Sequence, residues 1–288
     1  MIAGFALAVV ASALFALLDG LRKHLVQILS PVTTAALMNG GQAVLLLGAS
    51  AALGDVWPRD LRFYAAVMIC AAANLATTIM YLRALKLSPL SLTVPYLAFT
   101  PSLLLLTAWL VLGESPTVIG ALGVALVTLG AYLLPGMKSW RAPIAALARE
   151  PGSRLMLLVA AMWALTSAID KWGVRHASPA LYGGLVYAGS SAATMGFTVL
   201  RHQDELTRAR QRALVPVLLA GLVAALALFL QYASYASLPV SYTVAIKRAG
   251  MLGSVLIGWR FFGEKDLGSR LGAASIMVAG VLAIVLGG

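Results

Sequence analysis

The sequence predicts an all-α integral membrane protein whose ten transmembrane helices form two inverted five-helix repeats. Three observations lead to this fold class: 61% of the 288 residues are apolar, hydrophobic runs recur along nearly the whole chain, and the two halves resemble each other. Only 11% of the residues are charged, whereas a soluble chain has about 25%. These runs are too many for one water-soluble core, and they lack the short alternating pattern of a membrane β-barrel.

Ten spans result when about 20 apolar residues are allowed for each crossing. Short polar loops separate most of them, and the longest connection divides the chain near its middle. We therefore expect a first repeat over 1–137, a connecting loop over 138–153 and a second repeat over 154–288. The predicted spans are 2–26, 31–53, 61–84, 88–112, 116–135, 154–176, 179–200, 213–236, 239–262 and 267–287.

The two halves contain the same short motifs in the same order. Because each half holds five spans, an odd number, the second copy must lie upside down relative to the first, as in many secondary transporters. Glycines in the fifth and tenth spans predict close helix packing there. The matched motifs are Phe15-Ala16-Leu17 with Trp163-Ala164-Leu165, Lys23 with Lys171, Ser30-Pro31 with Ser178-Pro179, Trp109 with Trp259, Gly113-Glu114 with Gly263-Glu264, and Gly130 with Gly280.

Together with Asp170-Lys171 and the segment 242–248, these motifs resemble the drug/metabolite transporter superfamily, in particular its EamA-type ten-helix members. The resemblance covers the whole chain in order. It implies a transporter, but it leaves the substrate open, because members carry amino acids, sugar phosphates, nucleotide sugars, amines and drugs. It also implies that the fifth and tenth helices, which form a dimer interface in small relatives, pack the two halves together here.

Two adjacent cations, Lys247 and Arg248, fall eight or nine residues into the ninth span, within SYTVAIKRAG. A charge at this depth is costly and is functional by default. Arginine offers a planar fork to a carboxylate or phosphate, and lysine adds a compact charge, so the pair indicates an anion site. The alternative is structural pairing with Asp19 or Asp170. The resemblance favours the anion site, since sugar-phosphate carriers of this superfamily place a similar pair here.

Two further pairs of charges lie near span ends. Asp19 and Lys23 are four residues apart and share a helical face, which indicates an internal ion pair; alternatively, Asp19 turns to Arg248 and frees Lys23 for substrate. Asp170 and Lys171 are adjacent and point in different directions. Because Lys23 and Lys171 are equivalent in the two halves, they form candidate gate cations at opposite ends of a central cavity, with headgroup anchoring as the alternative.

Aromatic and amide side chains supply further candidates. Their depth in the sixth and fourth spans favours a cavity position for Trp163 and Tyr96, whereas the positions of Tyr235 and Tyr242 near span ends favour an interfacial belt. Cys70 has no intrachain partner and is predicted to be a buried structural thiol. Four amides are expected mainly to form interhelical hydrogen bonds, with substrate contact as the alternative: Asn39, Gln42, Asn74 and Gln231.

Loop charges and family resemblance give opposite orientations. Fifteen basic residues lie on the side reached after the odd-numbered spans and four on the other side, and removing Lys23 and Arg83 still leaves thirteen against four. The positive-inside rule then puts both termini outside the cytoplasm, whereas the resemblance puts both inside. We expect a multi-pass plasma membrane protein of the bacterial inner membrane type, with the orientation open.

Composition and motifs exclude several classes of function. The formal charge of +11 is scattered singly between apolar runs, without the basic stripe of a nucleic-acid surface. The three histidines lack metal-ligand spacing, and no nucleotide loop or nucleophile motif is found. We therefore predict no enzyme, no cofactor and no metal. The expected partners are a small-molecule substrate and the lipid bilayer, with the chain acting as a monomer or, alternatively, a homodimer.

Three functions stay open on the sequence alone. The favoured one is a secondary-active or facilitative transporter, most simply an exporter, of a small anionic or zwitterionic metabolite such as an amino acid or organophosphate, working by alternating access. Its predicted substrate-binding residues are Lys247, Arg248, Lys23, Asp19, Trp163, Tyr96, Asp170 and Lys171. The alternatives are a proton-coupled cation or drug exporter, with Asp19 or Asp170 as the protonatable group, and a lipid-headgroup flippase.

Overall fold

A computed structural model describes residues 2–87, 94–133, 150–250 and 267–287. These residues form helices joined by short connections, without a strand among them. A 3-10 turn, Val94–Ala98, precedes the fourth helix, and a short helical segment, Gln203–Arg208, followed by a π-helical turn, Ala209–Ala213, precedes the eighth. The ten main helices are α1 (Ile2–Ile28), α2 (Pro31–Leu53), α3 (Leu61–Leu87), α4 (Phe99–Leu112), α5 (Val118–Leu133), α6 (Pro151–Val174), α7 (Pro179–Arg201), α8 (Leu214–Ser234), α9 (Val240–Ala249) and α10 (Leu267–Gly287).

The helix boundaries follow from local sequence. The hydroxyls of Ser30 and Ser178 each accept the backbone N–H three residues further on, and proline follows each serine at the first helical position. This is the arrangement that starts a helix, and the two copies sit at equivalent positions of the repeat. Gly54 and Gly113 end α2 and α4 with φ of 70° and 67°, a left-handed conformation that glycine adopts without a steric penalty.

The packing of the helices has the two-fold pattern expected of a repeat. Helix α2 packs on its own equivalent α7, and α5 packs on its own equivalent α10. The pair α1–α8 is matched by α6–α3, and the pair α1–α9 by α6–α4. Every one of these contacts joins the first half to the second, so the halves form one interdigitated bundle.

Glycines allow α5 and α10 to approach backbone to backbone. A Cβ atom built on Gly123 would lie 2.7 Å from the carbonyl oxygen of Gly280, and one built on Gly280 would lie 2.6 Å from the carbonyl oxygen of Gly123. Both distances are too short for a real side chain. The prediction that these two helices pack the halves together is therefore confirmed.

The outer surface is suited to lipid. Five of the described helical stretches are long and apolar enough to cross a membrane, and three shorter apolar helices accompany them. Large apolar side chains point outward, including those of Val44, Met68, Leu110 and Leu226. The predicted fold class and most of the span limits are confirmed. Several predictions lie outside the described residues: 88–93 of the fourth span, 134–135 of the fifth, 251–262 of the ninth, most of the 138–153 connection, and the motif residues Trp259 and Gly263-Glu264. The domain limits stay a prediction.

Candidate binding cavity

A polar cavity of about 70 Å³ lies at the centre of the bundle. It is bounded by side chains of α1, α3, α4, α6, α7, α8 and α9, so both repeats contribute to it. Charged and aromatic groups concentrate on its wall, although the surrounding helices are mainly apolar. The lining includes three cations, one carboxylate and one indole ring, which belong to Arg22, Lys247, Arg248, Asp170 and Trp163.

Lys247 reaches the cavity from α9 and is held by neutral groups. Its ammonium donates a hydrogen bond to the amide oxygen of Gln231, at 3.0 Å. It also lies 3.3 Å from the ring centroid of Phe15 and 5.8 Å from that of Trp163, within the range of a cation–π contact. The hydroxyl of Ser12 bonds the carbonyl oxygen of Lys247 at 3.0 Å, which fixes α9 against α1.

Arg248 is buried, with 6% of its surface exposed. Its guanidinium donates to the hydroxyl of Thr100 at 3.3 Å and lies 5.7 Å from the ring centroid of Trp163. The Nε of Arg248 is a buried donor without a hydrogen-bond acceptor in the described part of the chain. A buried donor left unpaired is costly, so this site favours an acceptor-rich ligand.

Arg22 is a third cation of the cavity, and its position near the end of the first span concealed it in the sequence. It forms an ion pair with Asp19, at 3.1 Å, and lies 5.3 Å from the ring centroid of Tyr81. Asp19 also accepts the hydroxyl of Tyr81, at 2.9 Å. The prediction that Asp19 pairs with Lys23 is wrong. Arg22 and Lys23, three and four residues further on, both lie on the helical face of Asp19. Arg22 forms the ion pair, because Lys23 donates to the carbonyl oxygen of Leu85 instead.

Asp170 brings a carboxylate to the same cavity from α6. It accepts the phenolic hydroxyl of Tyr182, at 3.0 Å, and the side chains of Cys70 and Tyr232 lie close to it. Among the described residues, no cation approaches it within the 4.0 Å of a salt bridge. Lys247 is near enough for electrostatic attraction but is not in contact. Direct pairing of Lys247 or Arg248 with Asp19 or Asp170 is therefore not what this structure shows.

Lys23 and Lys171 lie outside the central cavity, in two separate clefts. Lys23 donates to the carbonyl oxygen of Leu85, at 2.5 Å, and Lys171 to that of Leu238, also at 2.5 Å. Lys171 also pairs with Glu114, at 2.7 Å. The two lysines occupy related places: Lys23 extends from α1 to the end of α3, and Lys171 extends from α6 to the turn that follows α8. Neither shares the site of Lys247.

The structure places some of the aromatic side chains as the sequence predicts and others not. Trp163 lines the cavity, whereas Tyr96 is 3% exposed and lies in the core cluster against which Trp163 packs. Placing Tyr235 and Tyr242 in an interfacial belt is wrong, because both are buried, at 3% and 1% exposure. Both side chains pack into the protein core, Tyr235 beside Tyr232 and Tyr242 beside Val124 and Met277, so they do not face lipid.

The amides and the thiol behave as the sequence indicates, with one addition. Asn39 donates to Ser190 at 3.0 Å, which is an interhelical bond of the predicted kind. Cys70 is a buried free thiol, as predicted. Asn74 and Gln231 also line the cavity, so they join helices and present amide groups to the site.

Fold and cavity together define a class: a multi-pass helical membrane protein whose two repeats enclose a small, cation-lined site between them. The model of the EamA-like transporter family matches the chain twice, over residues 2–135 and 151–286. The chain belongs to this family and is a membrane transporter. A solved crystal structure of another protein matches 99% of the chain and 97% of its own length, with a TM-score of 0.75 and 16% identity, which supports the fold alone. A search of curated proteins gave no significant match.

Proposed function

We propose that the chain carries a small anionic or zwitterionic metabolite across a bacterial-type plasma membrane by alternating access around the central cavity. The observation that carries this proposal is the convergence of Arg22, Lys247 and Arg248 on one small cavity, without a carboxylate in salt-bridge contact with Lys247 or Arg248 among the described residues. Charges buried in this way favour a ligand that supplies the missing acceptors.

The size and chemistry of the wall favour a small, acceptor-rich ligand. A cavity of about 70 Å³ is well below the roughly 300 Å³ at which drug-sized pockets begin, so the cavity in this conformation suits a small ligand. The ring centroid of Trp163 lies within 6 Å of the charged groups of both Lys247 and Arg248, so both groups surround one ring on the cavity wall. A carboxylate or phosphate can then accept from the arginine fork and from the lysine together.

The two-fold packing supplies the moving parts of the mechanism. Each repeat contributes to the cavity wall, and the inter-repeat contacts come in symmetry-related pairs, so rocking one half against the other opens the cavity at either end in turn. Substrate neutralises Lys247 and Arg248, which form no salt bridge among the described residues. The cavity therefore closes more readily around a bound anion than around unpaired cations.

A thermal-shift screen tests the proposal directly. Detergent-solubilised protein is heated with a panel of carboxylates, organophosphates, amines and dyes, in the wild type, Lys247→Ala and Arg248→Ala. A ligand at 100 times its dissociation constant adds about 2.7 kcal/mol of stability, which is measurable. We expect carboxylates or phosphates to stabilise the wild type and to lose that effect in both variants.

A matched control is Arg212→Ala, which removes an exposed basic side chain and is expected to retain the full ligand shift. Equal stabilisation of wild type and Lys247→Ala by every active ligand would overturn the anion site. Stabilisation by amines or dyes alone, unchanged in the variants, would instead indicate a cation exporter in which the basic pair is structural.

A further inference from the structure

Asp170 has a position in the cavity that the anion site alone does not explain. Its carboxylate faces the same small space as Lys247 and Arg248, where an anionic ligand and an ionised carboxylate repel each other. A negative charge at this position would weaken anion binding, so a wall that binds only anions does not account for it. Low dielectric inside the bundle makes such repulsion stronger than in water.

The surroundings of Asp170 suit a carboxyl group that gains and loses a proton. Its hydrogen bond comes from a neutral phenol, Tyr182, at 3.0 Å. Among the described residues it makes no salt bridge, in contrast to Asp19, which Arg22 neutralises at 3.1 Å. A carboxyl group without a fixed cation can be discharged by a proton at smaller cost than one locked in an ion pair.

Other ionisable groups face Asp170 from four neighbouring helices, α3, α7, α8 and α9. Phenols and a thiol dominate this set, Lys247 is the cation that attracts Asp170, and Arg22 and Arg248 line the same cavity. The groups are Cys70 on α3, Tyr182 and Tyr187 on α7, Tyr232 and Tyr235 on α8, and Lys247 on α9. Helix α4 also packs on α6, and its sequence from Phe99 to Leu112 contains no ionisable side chain.

We infer that Asp170 binds the coupling proton of the transporter, so that a proton and the substrate anion occupy the cavity together. This inference rests on the proposed anion site. Without substrate, ionised Asp170 balances part of the positive charge of Lys247. When the anion binds, the anion balances that charge instead, and Asp170 takes up a proton and becomes neutral. The proton comes from water on the side to which the cavity is open, and it returns to water on the other side.

The sign of the coupling follows from the charges. Discharging Asp170 strengthens anion binding, so anion binding must strengthen proton binding by the same factor. The two ions therefore travel in the same direction. An outward metabolite gradient would move the anion and the proton out of the cell, and an inward proton gradient would move both into it.

The test uses full-length protein with two anions that do not titrate near neutrality, methanesulfonate and sulfate. Binding is measured by thermal shift, and proton uptake by a pH-indicating dye in weak buffer. In the wild type we expect proton uptake on anion binding and an affinity that weakens by up to about tenfold per pH unit as the pH rises. In Asp170→Asn the anion should still bind, with neither uptake nor pH dependence.

Two further variants keep the inference falsifiable even where Asp170→Asn folds poorly. Asp170→Glu keeps the carboxyl group and should restore proton uptake, whereas the exposed Asp204→Asn should behave as the wild type. Proton uptake that persists in Asp170→Asn, which would mean that Lys247 titrates instead, overturns the inference and leaves the anion site standing. Failure of both anions to bind the wild type removes the anion site itself, and this inference with it.

Discussion

The carboxylate of Glu114 lies 2.7 Å from the ammonium of Lys171 and joins the first repeat to the second. Gly113 makes this possible, because its left-handed conformation ends α4 and turns the chain toward α6. The other carboxylate oxygen of Glu114 accepts the backbone N–H of Val240, at 3.1 Å, and so caps the first turn of α9. The Gly-Glu motif thus anchors, at its N-terminal end, the helix that carries the cation pair.

Glu114→Ala should destabilise the protein. It leaves Lys171, whose side chain is only 5% exposed, without its carboxylate and uncaps α9. Removing one partner of a buried ion pair costs about 3–5 kcal/mol, so we expect a clearly lower melting temperature in detergent. Glu114→Gln should lose less stability, because its amide oxygen can still accept the hydrogen bond from the backbone N–H of Val240. A melting temperature equal to that of the exposed control Asp204→Ala would show that the ion pair does not hold the halves together.

The contact between α5 and α10 can be tested with two glycines. In Gly123→Ala the new methyl group would meet the backbone of Gly280 at 2.7 Å, and overpacking of this kind costs about 1–3 kcal/mol. At Gly196, in α7, a Cβ atom meets nothing within 4 Å, so Gly196→Ala should be neutral or stabilising by up to about 1 kcal/mol. Gly123→Ala should therefore lower the melting temperature, whereas Gly196→Ala should leave it unchanged or raise it. A Gly123→Ala protein as stable as Gly196→Ala would contradict the packing described for these helices.

Arg22 and Lys23 are neighbours in sequence, but they should differ in function. Arg22 lines the cavity, so Arg22→Ala should weaken binding of the stabilising anion about tenfold or more, as expected for loss of a charged hydrogen bond. Lys23 bonds Leu85 in a separate cleft, so Lys23→Ala should leave the affinity unchanged while altering the exchange rate in proteoliposomes. Equal losses of affinity in both variants would place Lys23 in the site as well.

The fold can be predicted well because it depends on composition and repetition. The tenth helix is predicted at 267–287 and is observed at Leu267–Gly287. The turn signals at Ser30 and Ser178 mark helix starts in both repeats. Long apolar runs specify spans almost independently of their neighbours, since each must satisfy its own backbone in lipid.

The site is harder to predict, because it depends on how each helix is rotated about its axis. Lys247, Arg248, Trp163 and Asp170 are predicted in the cavity and line it. Arg22 counts as a loop charge in the sequence, since a basic residue near a span end usually reaches for headgroups. Its inward direction depends on Tyr81 of α3, a contact across 59 positions of sequence that no local pattern shows.

Cysteine labelling can decide the orientation of the chain in the membrane. The native Cys70 is buried, so it should contribute little background labelling. Asp204 lies in the connection between α7 and α8 and Trp57 in the connection between α2 and α3, and both are exposed. Among the described residues, five main helices, α3 to α7, separate these connections, so the ten-span topology puts them on opposite sides of the membrane. The bias of loop charges predicts that, in intact cells, a membrane-impermeant maleimide labels Trp57→Cys and spares Asp204→Cys until the cells are opened. The reverse pattern would place both termini in the cytoplasm and show that the basic loops do not set the topology of this chain.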